Sequence, residues 1–94
     1  MLHAVKVYGL NHCPRTRQTT ALLQALDVPY DFFDLDADRH AAAWVRWRSG
    51  NFQAITPTVM IGMRVMPEPS ETDLANAVAE LCAAGMTARV RAIA

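Results

Sequence analysis

The pattern of hydrophobic and polar residues changes along the first third of the chain. The apolar run at residues 3–8 predicts a strand, and the apolar residues within 14–26 recur at the spacing of a helix. The apolar side of this helix is formed on or near Leu22, Leu23, Ala25 and Leu26. Pro29 cannot continue a helix, and the aromatic-rich residues 30–35 after it predict a second strand. This part of the sequence therefore predicts a βαβ unit.

A second helix is predicted over roughly 38–48. Either Asp36 or Asp38 can cap its first turn, and Gly50 is a suitable terminator. After a gap, Thr58–Ile61 and Arg64–Met66 predict two strands joined by a tight turn at Gly62 and Met63, the second ended by Pro67.

The last helix is predicted to begin at Ser70, a good N-cap residue followed by acids, and to end near Gly85. The predicted order is β-α-β-α-β-β-α. A parallel βαβ half joined to a hairpin and a closing helix indicates an α/β fold with one mixed four-stranded sheet and helices on both faces.

Several large apolar side chains have two interpretations. Trp44 and Trp47 are three residues apart, so packing on one helix face is the prediction and an exposed partner-binding patch is the alternative. Met60, Met63 and Met66 could be soft metal ligands, but core filling and turn packing explain them better.

Composition narrows the function classes. The chain has 94 residues, enough for one domain, with nine basic and nine acidic residues and no basic run that would favour nucleic acid. No apolar stretch reaches the roughly 20 residues of a membrane span, so a cytoplasmic protein is expected. Cys13 and Cys82 lack the spacing of a disulfide framework or a zinc site.

Cys13 is the candidate nucleophile, because it lies between the first strand and the first helix. Unpaired amides at a helix start favour a thiolate, and cysteine pKa values there fall to roughly 3.5–7.5. Pro14 suits the first helical position. Arg15 and Arg17 add positive charge, and a protonated His12 could add more. Burial of the cysteine as a small hydrophobe is the alternative, which the polar and turn-forming neighbours argue against.

Five segments together resemble the glutaredoxin branch of the thioredoxin-like fold, including mycoredoxins. They are Val5–Tyr8, Cys13–Pro14, Val28–Tyr30, Thr56–Val59 and Pro69–Ser70. The resemblance implies a glutaredoxin-like domain over 1–85, with 86–94 as a tail or short extra helix. It also implies a cis Pro57 facing Cys13.

Substrate contacts follow from the same resemblance. Thr56, before the proline, could pair its backbone with an extended peptide such as glutathione. Ser70 and Glu71 correspond to the place where relatives hold the other end of that tripeptide, and the start of a helix suits an anion there. The charge of Glu71 partly opposes an anion, which favours a different thiol or a weaker site.

The chain also departs from the family pattern. Thr16 occupies the position of the second cysteine of the dithiol motif, so the expected chemistry is monothiol: Cys13 removes a low-molecular-weight thiol of the glutathione or mycothiol type from a mixed disulfide. Thr16 could donate its hydroxyl to the thiolate or serve only as a first-turn helix residue. Cys82 could in principle resolve Cys13, but its apolar neighbours argue against this.

Leu10 stands where many relatives have a lysine that binds a carboxylate of glutathione. Its place could be taken by Arg46, Arg48, Gln53 or Arg15.

Three functions follow as hypotheses. The first is an oxidoreductase, expected to be monomeric, that acts on protein mixed disulfides and binds no cofactor tightly. The second is an iron-sulfur carrier, which Pro14, Arg15 and Thr16 disfavour because they differ from the monothiol relatives that hold clusters. The third is a binding module with a vestigial cysteine, using the tryptophan helix or the Thr56–Pro57 edge.

Overall fold

Four strands and three helices lie within the part of the chain that the structure describes, in the predicted order. The computed structural model of the chain describes residues 4–49 and 56–83. The elements are β1 (Val5–Gly9), α1 (Pro14–Ala25), β2 (Asp31–Asp34), α2 (Arg39–Ser49), β3 (Thr58–Ile61), β4 (Arg64–Pro67) and α3 (Glu71–Ala83). Some sequence predictions concern residues outside these ranges. They are the predictions for Gly50, Gln53, Gly85 and residues 86–94.

The strands form one mixed sheet in the order β2-β1-β3-β4. Strands β1 and β2 run parallel, as the βαβ unit requires, whereas β1 pairs antiparallel with β3 and β3 with β4. The hairpin turn contains Gly62 with φ +60°, a left-handed conformation that glycine adopts without steric cost. The predicted α/β sheet is confirmed.

Side-chain alternation along the central strands builds a separate core on each face of the sheet. Val5 and Val7 of β1 face α1 and α3, whereas Tyr8 faces α2. The first core is completed mainly by Leu23, Leu26, Val59, Ile61, Leu74, Val78 and Leu81. The second is completed by Leu35, Ala41, Ala42 and Val45, with Phe33, Trp44 and Met60 packed against it. Helices therefore cover both faces.

Local caps define where two helices begin. The Asp38 carboxylate accepts a hydrogen bond from the backbone N–H of Ala41 at 3.0 Å, so Asp38 rather than Asp36 caps α2. The Ser70 hydroxyl accepts a hydrogen bond from the N–H of Asp73 at 3.1 Å, which confirms it as the cap of α3. This cap fixes the start of α3, next to the Cys13 end of α1.

The prediction for the apolar side of α1 is partly wrong. Leu23 and Leu26 are buried, but Ala25 is exposed, and Thr16 and Thr19 are buried in its place. The buried positions repeat at intervals of three and four residues, which keeps them on one side of a helix, whereas Ala25 is about 200° away from Leu23. Burial thus extends to the first turn, beside the cysteine.

The prediction that both tryptophans pack is also wrong for one of them. The Trp44 ring lies 4.9 Å from the Tyr8 ring, whereas Trp47 is 77% exposed. Val45 is the residue that faces the sheet, and Trp47 lies two residues, about 200°, further round the helix. Met63 is 90% exposed at the hairpin turn, so turn packing does not explain it.

Candidate active site

Cys13 occupies the N-cap position of α1, with φ −80° and ψ 120°, and Pro14 begins the helix. The Cys13 N–H donates to the Leu10 carbonyl at 3.0 Å, and the Cys13 carbonyl accepts from the Arg17 N–H at 3.1 Å. These bonds connect the loop after β1 to the first turn of α1. The half-buried thiol is free and lies beside the amides that have no partner within the helix.

The surroundings lower the pKa of Cys13 to about 7. The largest cause is the backbone N–H of Thr16, followed by the Thr16 hydroxyl; partial burial opposes them, and the Thr56 hydroxyl and the Arg15 N–H add smaller contributions. All of these groups donate hydrogen bonds to the thiolate, which favours the charged form. Amide and hydroxyl donors therefore lower the pKa of Cys13, as predicted. Arg15 contributes through its backbone N–H.

The guanidinium of Arg15 instead lies 3.6 Å from the Glu68 carboxylate. His12 is largely exposed, with Nδ1 3.8 Å from Asp36 Oδ2. Both side chains lie at the edge of the site. A direct effect of either charge on the thiolate stays a prediction.

Thr16 is only 2% exposed and is held against the end of β1. Its hydroxyl oxygen accepts a hydrogen bond from the Leu10 N–H at 3.4 Å, which leaves the hydroxyl proton available to Cys13. A Cβ atom at Gly9 would lie 2.5 Å from Thr16 Cγ2 and 2.7 Å from Thr16 Oγ1. Gly9 therefore makes room for a threonine at this position.

The segment before β3 lies opposite Cys13. The Thr56–Pro57 peptide bond is cis, as the family resemblance implied. Thr56 Oγ1 lies 3.7 Å from Cys13 Sγ and donates to it. Pro57 is fully buried, and its carbonyl accepts a hydrogen bond from the Glu68 N–H at 2.8 Å. The structure thus brings Cys13, Thr16 and Thr56 together.

A cleft beside this group is formed between α1 and the beginning of α3. It is lined by Arg15, Gln18, Thr19, Leu22, Pro69, Ser70, Glu71 and Leu74. Ser70 and Glu71 therefore share a cleft with Arg15, which lies two residues after the nucleophile. The Ser70 hydroxyl is already used as the helix cap.

Glu68 is a residue of the site that the sequence analysis missed. It has a positive φ of 42°, its N–H donates to Pro57, and its carboxylate lies beside Arg15. Its position between two prolines marks a turn, but nothing in the local sequence indicates its partners.

The remaining candidates lie elsewhere. Leu10 packs against the core beneath α2, and Cys82 is a free, half-buried thiol on α3. Arg48 lines a separate open cleft together with Val45, Thr58, Val65 and Pro67. Within the described ranges both cysteines are free. No contact between them there supports a role of Cys82 as a resolving thiol.

In residues 4–49 and 56–83, no three or more His, Cys, Asp or Glu side chains are grouped so that they could hold a metal ion. No helix within the same ranges is both long enough and apolar enough to cross a bilayer.

Comparisons with known proteins show the family and the fold of the chain. The family model described as Glutaredoxin matches residues 5–66, well over half of the chain. No curated protein sequence matches. Solved structures with the same fold include the thioredoxin-like protein BC3987, with 25% identity, a TM-score of 0.68, and 78% of this chain and 97% of that one covered.

Two glutaredoxin structures are also similar. The one from Archaeoglobus fulgidus has 22% identity and a TM-score of 0.70, with 81% of this chain and 86% of that one covered. The one from Brucella melitensis has 22% identity and a TM-score of 0.61, with 90% and 89% covered. At these identities the likeness shows the fold, while the family match covers the strand, helix and proline segments that surround Cys13. The chain therefore belongs to the glutaredoxin family of thiol-disulfide oxidoreductases.

Proposed function

We propose that this protein is a monothiol oxidoreductase in which Cys13 reduces mixed disulfides between proteins and a low-molecular-weight thiol of the glutathione or mycothiol type. The observation that carries the proposal is the half-buried Cys13 thiol at the start of α1, which has a pKa of about 7 and lies 3.7 Å from the Thr56 hydroxyl. Half of such a thiol is ionised near neutral pH, and the thiolate is the nucleophile in disulfide exchange.

The reaction has two exchange steps. In the first, Cys13 Sγ attacks the sulfur of the small thiol, a new S–S bond forms, and the protein substrate leaves as a thiolate that takes a proton from water. In the second, another molecule of the small thiol attacks the sulfur bound to Cys13, and a symmetrical disulfide leaves. Cys13 is thereby returned as a thiolate. Thr16 at the position of the second motif cysteine is what makes this external thiol necessary.

The small thiol would bind along the Thr56–Pro57 edge and towards the cleft at the start of α3. Thr56 would pair through its backbone with an extended chain. At the other end, Glu68 and Glu71 contribute two carboxylates, and Arg15 is already paired with Glu68. These charges support a thiol with fewer carboxylates than glutathione.

A turnover assay tests the proposal. The protein is mixed with a glutathionylated or mycothiolated model protein and the free form of the same thiol, and release of the small thiol is followed. Cys13→Ser should abolish turnover, and Cys82→Ser should retain it. Turnover that survives Cys13→Ser, or that is absent with every small thiol tried while the protein is folded, contradicts the proposal.

The same preparations separate the alternative functions. Mass spectrometry of Cys13 after incubation with each small-molecule disulfide identifies the thiol that becomes attached. A coloured product after anaerobic reconstitution with iron and sulfide supports cluster binding instead. A Cys13→Ser protein that keeps its full cellular role supports a binding module.

A further inference from the structure

The side chain of Thr56 contacts the nucleophile, which suggests a role for this residue besides the pairing of its backbone with the small thiol. Thr56 Oγ1 lies 3.7 Å from Cys13 Sγ, and the hydroxyl is the donor. Sulfur is a large acceptor atom, and a thiolate attracts the hydroxyl proton more strongly than a thiol does. Thr16 approaches the same sulfur from α1, so the thiolate has a hydroxyl donor from each of two separate segments.

A closed series of contacts holds the Thr56 hydroxyl in place. Arg15, two residues after Cys13, contacts the Glu68 carboxylate at 3.6 Å, and the Glu68 N–H donates to the Pro57 carbonyl at 2.8 Å. Pro57 is fully buried and is bonded directly to Thr56. The loop that carries Thr56 is therefore connected to the helix that carries Cys13 by contacts other than the hydrogen bond itself.

We propose that the Thr56 hydroxyl is a catalytic hydrogen-bond donor that stabilises the Cys13 thiolate both as the attacking group and as the leaving group. The proposal deepens the proposed function and rests on it. In the first exchange step, the hydroxyl keeps Cys13 ionised. In the second, the S–S bond to the small thiol breaks, its electron pair returns to Cys13 Sγ, and the Thr56 hydroxyl again receives that charge. A leaving thiolate of lower pKa departs faster.

The test compares Thr56→Val, which keeps the shape of the side chain but removes the hydroxyl, with Thr56→Ser, which keeps the hydroxyl. The pH dependence of Cys13 alkylation by iodoacetamide is measured in a Cys82→Ser background. Thr56→Val should raise the midpoint by about half to one pH unit, because a bond to a charged group is lost. Alkylation well below the midpoint should then slow by about two- to fourfold, because fewer molecules are ionised while each thiolate of higher pKa is somewhat more nucleophilic. Thr56→Ser should leave the midpoint unchanged.

A second measurement isolates the leaving-group role. Each variant is converted to its Cys13 mixed disulfide, and the rate at which added free thiol releases Cys13 is measured at one pH. The attacking thiol is then the same in every case, so the rate reports on departure of Cys13. Thr56→Val should be slower by about two- to fivefold.

Thr20→Val is the matched control, because the Thr20 hydroxyl donates to the Arg17 carbonyl on α1, away from the sulfur. It should match the parent protein in both measurements. If Thr56→Val does not fold, Thr56→Ala replaces it.

An unchanged midpoint and release rate in folded Thr56→Val would overturn the inference, even if the parent protein turns over substrate. A shifted midpoint with no turnover by the parent protein would instead support the contact and contradict the proposed function.

Discussion

Gly9→Ala offers the sharpest test of how Thr16 is held beside the nucleophile. The new methyl would lie 2.5 Å from Thr16 Cγ2 and 2.7 Å from Thr16 Oγ1, closer than side-chain atoms can approach. Overpacking of this kind costs about 1–3 kcal/mol, whereas alanine in place of glycine within a strand gains roughly 0.5–1 kcal/mol. We expect a net loss of about 1–2 kcal/mol in the free energy of unfolding.

A double-mutant cycle with Thr16→Ala separates this clash from other effects. Thr16→Ala removes both of the closest atoms and leaves Thr16 Cβ at 3.2 Å, a tight contact that small shifts can relieve. In the Thr16→Ala background, Gly9→Ala should therefore cost much less, with a coupling free energy of about 1–2 kcal/mol.

Urea unfolding of the four proteins at one pH measures the cycle. Additivity within about 0.5 kcal/mol, or a Gly9→Ala protein as stable as the parent, would refute the contact as described. Gly9→Ala should also raise the pH midpoint of Cys13 alkylation, because displacement of Thr16 moves the principal donors away from the sulfur.

Three further predictions concern the Cys13 thiolate and the packing of α2. The pKa of Cys13 is lower in the folded than in the unfolded chain, so the unfolded state binds more protons between the two values. The stability of the parent relative to Cys13→Ser should therefore rise, by on the order of 1–2 kcal/mol, between about pH 6 and 9 in urea unfolding, and a flat difference would contradict this. Thr16→Val should raise the alkylation midpoint, since it removes a hydroxyl donor, while Thr16→Ser should largely preserve it; equal midpoints for the two variants would count against the hydroxyl. In thermal unfolding, Trp44→Ala should lower the free energy of unfolding by about 2–4 kcal/mol and Trp47→Ala by less than about 0.5 kcal/mol, because only Trp44 packs on Tyr8. Equal losses of stability in the two variants would argue against this packing.

Local patterns predicted the elements of the fold because their causes lie within a few residues. Ser70 caps α3 through a hydrogen bond to the residue three positions on, and the sequence shows both partners. The apolar run that includes Val5 and Val7 predicted a strand in the same way. Asp38 was one of two candidate caps, and only the backbone geometry distinguished it from Asp36.

Predictions of burial failed where the orientation of a helix on the sheet decides the outcome. Ala25 on α1 and Trp47 on α2 are apolar and were expected to pack, yet both are exposed. An apolar residue at helical spacing can lie on the sheet side or just beyond it, and a difference of 100° per residue is enough to change its environment. The burial of Thr16 was harder still to predict, because it depends on the absence of a side chain at Gly9.

By itself, the sequence determined that this chain is a four-stranded α/β domain with a cysteine at the first turn of a helix and a proline segment some forty residues later. These features depend on propensity, capping and periodicity, which act over short distances along the chain. Only the tertiary structure decided which groups surround the sulfur: amides and the hydroxyl of Thr16 from one segment, the hydroxyl of Thr56 from another, and Glu68 joining the two. Hydrogen bonds and close contacts are made over a few ångströms in space, so their partners are chosen by folding and cannot be read from spacing in the sequence.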